Sequence, residues 1–182
     1  MSGAVVWITG VPASGKTTLA RGLVAELQRR GVVTLWLDSD DLRGVIPADY
    51  SESGRDAFYG ALGHIARLGA EGGSLVIVSA TASRRRYRDQ ARAQVMRFFE
   101  IYLRCDPAAL RGERDIKGLY ARADAGELDA LPGASAPFEP PEDAQLTLDT
   151  EALDARAALA QATRWLELQV LATCKTGETH GT

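Results

Sequence analysis

Gly10-Val11-Pro12-Ala13-Ser14-Gly15-Lys16-Thr17 is the stretch on which the reading of this chain turns, because it fits G-x-x-x-x-G-K-[ST]. The residues before it, Ala4–Thr9 (AVVWIT), are apolar and mostly β-branched and predict a buried strand. The residues after it, 18–30, carry Leu19, Leu23, Val24 and Leu27 at the spacing of one helix face. Strand, glycine turn and helix turn the pattern into a mechanism. The glycines let backbone N–H groups close around phosphate oxygens, and the helix N-terminus adds a fixed positive end. Lys16 then reaches the β- and γ-phosphates, and the Thr17 hydroxyl serves Mg²⁺. Gly10, Ala13, Ser14, Gly15, Lys16, Thr17 and Thr18 are therefore the expected binding residues for ATP or GTP.

Size and composition bound the rest. At 182 residues the chain suits one domain, expected over residues 1–174, with a small polar tail at 175–182 expected to be disordered. A net charge of −3 gives no basic footprint and argues against a nucleic-acid partner. The two cysteines, Cys105 and Cys174, lie far apart, which excludes a C-x-x-C site and points to a reducing compartment. The first strand follows Met1 so closely that no signal peptide fits, and no apolar run nears the roughly eighteen residues of a membrane span. A cytoplasmic protein with no membrane contact is expected.

Beyond the first βα unit, residues 32–37 (VVTLWL) predict a second strand and residues 54–71 an amphipathic helix carrying Phe58, Leu62, Ile65 and Leu68. Residues 74–79 (SLVIVS) predict a third strand, 84–97 a basic helix, and 98–103 (FFEIYL) a fourth strand. A polar segment at 111–133 interrupts the alternation before a short strand at 145–148 and a closing helix at 151–172. Near-continuous apolar strands alternating with helices specify an α/β fold, a five-stranded parallel sheet of the P-loop NTPase type with helices on both faces. Ligands of such sheets bind beyond the carboxyl ends of the strands.

Three polar clusters fall at that edge: the phosphate loop after the first strand, the aspartates after the second, and residues 79–86 after the third. Asp38 and Asp40 follow the second strand, placed to serve phosphoryl transfer, which needs a held Mg²⁺ and a group that orients or deprotonates the attacking hydroxyl. The alternative for such aspartates is a turn or helix cap, the role that suits Asp41. Arg43 and Arg55 bracket a loop and offer planar donors for phosphate or sulfate, although each read alone is a surface arginine. The run Arg84, Arg85, Arg86, Arg88 and Arg92 is expected to face solvent or pair with acidic neighbours. His64, mid-helix, reads as structural. Residues 114–123 and 126–128 read as a mobile cationic lid, and Phe138 as an aromatic for a nucleobase or for core packing.

Read together, these landmarks resemble the adenylylsulfate kinases, which move the ATP γ-phosphate to the 3′-hydroxyl of adenosine 5′-phosphosulfate. The similarity rests on W-I-T-G before the phosphate loop, L-D-S-D-D-L-R at 37–43, Y-S-x-x-x-R at 50–55, and R-D-Q-A-R ending at Arg92. It continues through F-F-E-I-Y-L, R-D-I-K-G-L-Y at 114–120, A-x-A-G-E-L, P-F-E-P-P at 137–141 and L-x-L-D-T at 146–150. The resemblance implies Lys16, Asp40 and Asp38 as catalytic residues, with Thr17 and Asp40 toward Mg²⁺ and ATP as co-substrate. It implies Arg114 on the ATP side of the lid. Arg43 and Arg55 would grip the acceptor's phosphosulfate, while Lys117, Leu119 and Phe138 frame its adenine. It also implies a homodimer and a sulfurylase as partner.

The departures cluster in the acceptor pocket. Phe58 stands where the family carries Asn, three residues after the second arginine, and Ala80-Thr81-Ala82-Ser83 stands for F-I-S-P, so Phe58, Thr81 and Ala82 are expected to line the pocket. Asp41 adds a negative charge, and Ala13 replaces a glycine of the phosphate loop. Two other readings stay open: a divergent kinase for another nucleotide or nucleoside-like acceptor, and a nucleotide-binding module without turnover.

Overall fold

The computed structural model describes residues 3–115 and 117–171. The expected tail at 175–182, Cys174 and residue 172 of the closing helix lie outside them. The chain alternates as β1 (Ala4–Thr9), α1 (Lys16–Arg29), β2 (Thr34–Asp38), α2 (Ser39–Leu42), α3 (Glu52–Glu71), β3 (Leu75–Ser79), α4 (Arg85–Gln94) and β4 (Phe98–Arg104). It then runs through two 3₁₀ turns, Pro107–Leu110 and Gly112–Arg114, into α5 (Leu119–Asp124), β5 (Leu146–Asp149) and α6 (Ala155–Leu166), which tightens into a π-helical turn at Glu167–Leu171. The five strands are all parallel, as expected, and lie in the order β2-β3-β1-β4-β5.

Every residue of β1 is buried because the strand is covered on both sides. Its pleat sends Ala4, Val6 and Ile8 to the layer shared with Leu19 and Leu23 of α1 and Ala158 and Ala162 of α6. Val5 and Trp7 turn to the opposite layer, with Leu62 and Ala66 of α3 and Tyr87 and Ala91 of α4. Glycine lets the helices close up. A Cβ on Gly22 would come within 2.8 Å of Leu159, so α1 and α6 touch backbone to side chain there.

The element boundaries shift for local reasons. Val32 N–H bonds the Leu27 carbonyl (3.0 Å) and closes α1, so β2 starts two residues later than expected. Helix α3 starts at Glu52 because Ser51 Oγ accepts from Gly54 N–H (3.0 Å). Helix α4 stops at Gln94, where β-branched Val95 is already extended. Two helices, α2 and α5, had no counterpart among the sequence expectations. Asp38 Oδ1 accepts from Asp40 N–H (2.8 Å) and caps α2, which corrects the assignment of that role to Asp41. Asp115 accepts from the N–H groups of Leu119, Tyr120 and Ala121 (2.7–2.9 Å) and nucleates α5.

The arginine run divides. Arg84 and Arg86 pair with Glu52, Arg86 also with Asp56, and Arg85 with Glu142, all at the surface as expected. Arg88 does not follow them. It is 1% exposed, with Nε 2.7 Å from Glu100 Oε1, while Arg92 Nη2 takes Oε2 at 2.7 Å. A carboxylate in the middle of β4 is tolerated only because two guanidiniums meet it. Arg88→Met strips one of them and is expected to cost about 3 kcal/mol of stability. A urea titration should show the midpoint falling with an unchanged slope.

Candidate active site

Three strand ends build the site. β1 delivers the phosphate loop, β2 delivers Asp38, and β3 delivers Ser79, which is the direct register partner of Asp38. The loop's shape rests on its glycines. A Cβ on Gly10 would sit 2.7 Å from both the Leu103 carbonyl and Ser14 Oγ, and Gly15 holds φ 98° as it opens α1. Ala13, where related kinases carry glycine, also adopts a left-handed backbone (φ 63°), a strain of about 1 kcal/mol for an L-residue.

Lys16 Nζ donates to the carbonyls of Gly10 (3.1 Å) and Val11 (2.8 Å), so the ammonium lies over its own loop. Burial pulls its pKa down to about 8, against the upward pull of Asp40 and Asp38. Thr18 is exposed at the start of α1. Thr17 Oγ1 donates to Asp38 Oδ2 (2.9 Å), and Ser79 Oγ donates to the same oxygen (2.8 Å) while accepting from Trp36 Nε1 (2.9 Å). With its other oxygen on Asp40 N–H, the buried Asp38 carboxylate is fully engaged. Asp40 differs in every respect: its side chain is exposed and ion-paired with Lys117 Nζ at 2.6 Å. That contact holds the Lys117 pKa above its usual value.

The segment expected as a lid is held to the rest of the site at three points. Besides the Lys117 pair, Tyr120 Oη donates to the Pro12 carbonyl of the phosphate loop (3.0 Å), and Leu119 packs on the cluster of Val11, Cys105, Leu110, Tyr120 and Leu131. Burial pushes the Tyr120 phenol up to about 12. Arg114 ends the second 3₁₀ turn ahead of this helix. Arg55 bridges outward, donating to the Tyr50 (3.0 Å) and Ala130 (3.2 Å) carbonyls. Arg43 lies over the Phe58 ring at 4.0 Å and the Tyr50 ring at 4.7 Å.

Two expected pocket residues are displaced inward. Phe58 is completely buried beneath Arg43, so it reaches a ligand only through that arginine. Ala82 is buried too, its N–H given to Tyr59 Oη (3.1 Å), and of this pair Thr81 alone presents surface. Phe138 stacks on Tyr102, centroids 6.1 Å apart, at the edge of a cleft of about 500 Å³ that Val11, Cys105 and Gly133 also line. Arg88 Nη2 fixes that loop by donating to the Glu139 carbonyl (2.7 Å).

The sequence reading gave Trp36 and Tyr120 no role, expected Arg88 at the surface, and placed Ser79 only within the polar cluster beyond the third strand. A serine ending an apolar strand beside an aspartate-ended one was the available signal for Ser79. The oxygen donors of Thr17, Asp38 and Asp40 suit Mg²⁺, which takes one or two protein ligands and completes its shell with phosphates and water. No group of three or more His, Cys, Asp or Glu side chains is placed to hold a metal ion among the described residues. No helix among them is long and apolar enough to cross a membrane.

Known proteins match this geometry. A family model described as adenylylsulphate kinase matches residues 2–149. The adenylyl-sulfate kinase of Geotalea uraniireducens is 35% identical over 167 residues, covering 90% of this chain and 80% of its own. A probable bifunctional SAT/APS kinase of Sorangium cellulosum is 39% identical over 152 residues, but the matched part is 26% of that longer protein. Among solved structures, the Mycobacterium tuberculosis APS kinase in complex with AMPPNP and APS superposes with a TM-score of 0.85 at 30% identity, covering 91% of this chain and 98% of that one.

Proposed function

Because the chain belongs to the adenylylsulphate kinase family, we propose that it transfers the ATP γ-phosphate to the 3′-hydroxyl of adenosine 5′-phosphosulfate, yielding 3′-phosphoadenosine 5′-phosphosulfate. One observation carries the reading beyond family membership. The contacts Thr17–Asp38, Asp38–Asp40 and Asp40–Lys117 join phosphate loop, sheet edge and lid at a single place. Phosphoryl transfer needs those three parts together.

The roles follow from the differences between the groups. The loop amides from Gly10 to Thr18 and the Lys16 ammonium hold the β- and γ-phosphates, with Arg114 on the ATP side of the lid. Thr17, oriented by Asp38, and Asp40 would hold Mg²⁺, which supplies charge neutralisation across the phosphates. Asp38 is spent on hydrogen bonds and acts by orienting Thr17. Asp40, exposed and ion-paired with Lys117, accepts the 3′-hydroxyl proton as that oxygen attacks phosphorus and ADP leaves. Arg43 and Arg55 take the anionic end of the acceptor, and Lys117, Leu119, Thr81 and Phe138 surround its nucleoside. Residues 1–174 act as one kinase domain, in the cytoplasm, as a homodimer, beside a sulfurylase that supplies the acceptor.

The lowered Lys16 pKa has a measurable sign. Between about 8 and 10.5 the unfolded chain binds this proton more tightly than the folded one, so the residue's destabilising contribution fades as pH rises through that window. Phosphate charge against Nζ restores the ammonium. Nucleotide binding at about pH 8.5 is therefore expected to take up about three quarters of a proton. Calorimetry in buffers of different ionisation enthalpy should show it, and Lys16→Met should remove it.

The replacement of a polar side chain by Phe58 favours one second reading, another nucleotide as acceptor. ADP release measured across a panel of nucleotides separates the two. Turnover confined to adenosine 5′-phosphosulfate supports the first reading, and turnover only with a different nucleotide replaces it.

A further inference from the structure

We infer that Phe58 is a specificity-determining positioning residue, which presents the Arg43 guanidinium to the acceptor by holding its face in an aromatic cage. The inference rests on the acceptor role proposed for Arg43. Arg43 follows the four-residue helix α2, and nothing of opposite charge restrains it: among the described residues it makes no ion pair within 4 Å. Its restraint comes from ring faces. The guanidinium carbon lies 4.0 Å from the Phe58 centroid, 4.7 Å from that of Tyr50 and 5.9 Å from that of Tyr59.

The cage is anchored in the core. Phe58 is 0% exposed and meets Tyr59 edge-on at 5.3 Å, and Tyr59 in turn stacks on Tyr87 of α4 at 4.6 Å. Tyr59 Oη accepts from Ala82 N–H, so the cage is also pinned to the segment leaving β3. Tyr50 covers the arginine from outside and is 68% exposed, the outer wall of the cage.

This arrangement leaves hydrogen-bonding capacity unspent. Nη1 of Arg43 is buried and has no hydrogen-bond partner among the described residues. A buried donor without an acceptor is costly, and an anionic oxygen repays it with a charge-assisted bond. A ring face fixes a guanidinium's plane without consuming its N–H groups. A side chain with an amide oxygen at position 58 would instead consume one of them. The Phe58 pocket therefore demands a negatively charged group on the acceptor, and it selects among nucleotides by charge at the 5′ end.

The test is a double-mutant cycle on acceptor kinetics with Phe58→Leu, Arg43→Gln and the double variant. In the wild-type background Phe58→Leu should raise KM for adenosine 5′-phosphosulfate about tenfold and leave KM for ATP unchanged. In the Arg43→Gln background the same change should alter acceptor KM less than about twofold, because the residue it positions is gone. Equal effects in both backgrounds, or parallel rises in both KM values, overturn the inference. Should Phe58→Leu not fold, Phe58→Met removes the ring with less loss of volume and answers the same question. A wild-type enzyme inactive on this acceptor but active on another nucleotide refutes the functional reading separately. The cycle run on that nucleotide then still decides whether the cage acts through Arg43.

Discussion

Lys16→Ala is expected to lower kcat about a thousandfold while leaving the fold intact. The size of the effect follows from where the ammonium sits. Its hydrogen bonds go to the Gly10 and Val11 carbonyls of its own loop, the second of which also accepts from Ser14 N–H, so its removal breaks no interhelical hydrogen bond. What is lost is positive charge beside the transferring phosphoryl group, in a site where burial already lowers the lysine's pKa to about 8. A charge that costs free energy to keep in the empty enzyme gains most from its ligand when the phosphates arrive. Steady-state kinetics with a thermal melt on the same sample check both halves. Near-normal turnover would remove the phosphate-loop assignment, and a collapsed melt would show that the lysine is structural.

Asp40→Asn should cost about two to three orders of magnitude in kcat with ATP affinity little changed, because its proposed task, taking a proton, arises only in the transition state. The substitution keeps size and shape, and the Asp40 backbone N–H still bonds Asp38, so helix α2 survives. The ion pair with Lys117 is lost, but both side chains are about two-thirds exposed, and such pairs contribute little to stability. Asp38→Asn should behave otherwise. That carboxylate accepts from Thr17, Ser79 and Asp40 N–H together, so its loss disturbs the loop as well as the rate. Stopped-flow measurement of nucleotide binding beside kcat separates the two aspartates, and identical profiles for both would contradict the division of labour.

The contrast between those residues marks where the sequence stopped being legible. Strand-loop-helix, the five strands and their parallel character could be read because strands buried on both faces are near-continuous apolar runs. Helices α2 and α5 could not, since four and six residues carry no periodicity; α2 is capped by Asp38, and the first N–H groups of α5 are held by the Asp115 carboxylate. Asp38 and Asp40 stand two residues apart with the same side chain, and only the fold distinguishes the buried, saturated one from the exposed one. Arg88 looked like its surface neighbours. Its burial depends on Glu100, and a lone carboxylate inside the apolar F-F-E-I-Y-L strand was the sign that a cation had to be buried with it. Phe58 was expected in the pocket wall by its place in the motif, and the structure moves it one layer down, beneath the arginine.

Transfer of a γ-labelled phosphate from ATP, with the labelled product located by mass spectrometry and phosphorus NMR, tests the central claim most directly. With adenosine 5′-phosphosulfate as acceptor, the label should appear on the ribose 3′-oxygen with the phosphosulfate intact. Label found only in inorganic phosphate, or on any other position of the acceptor, would contradict the account.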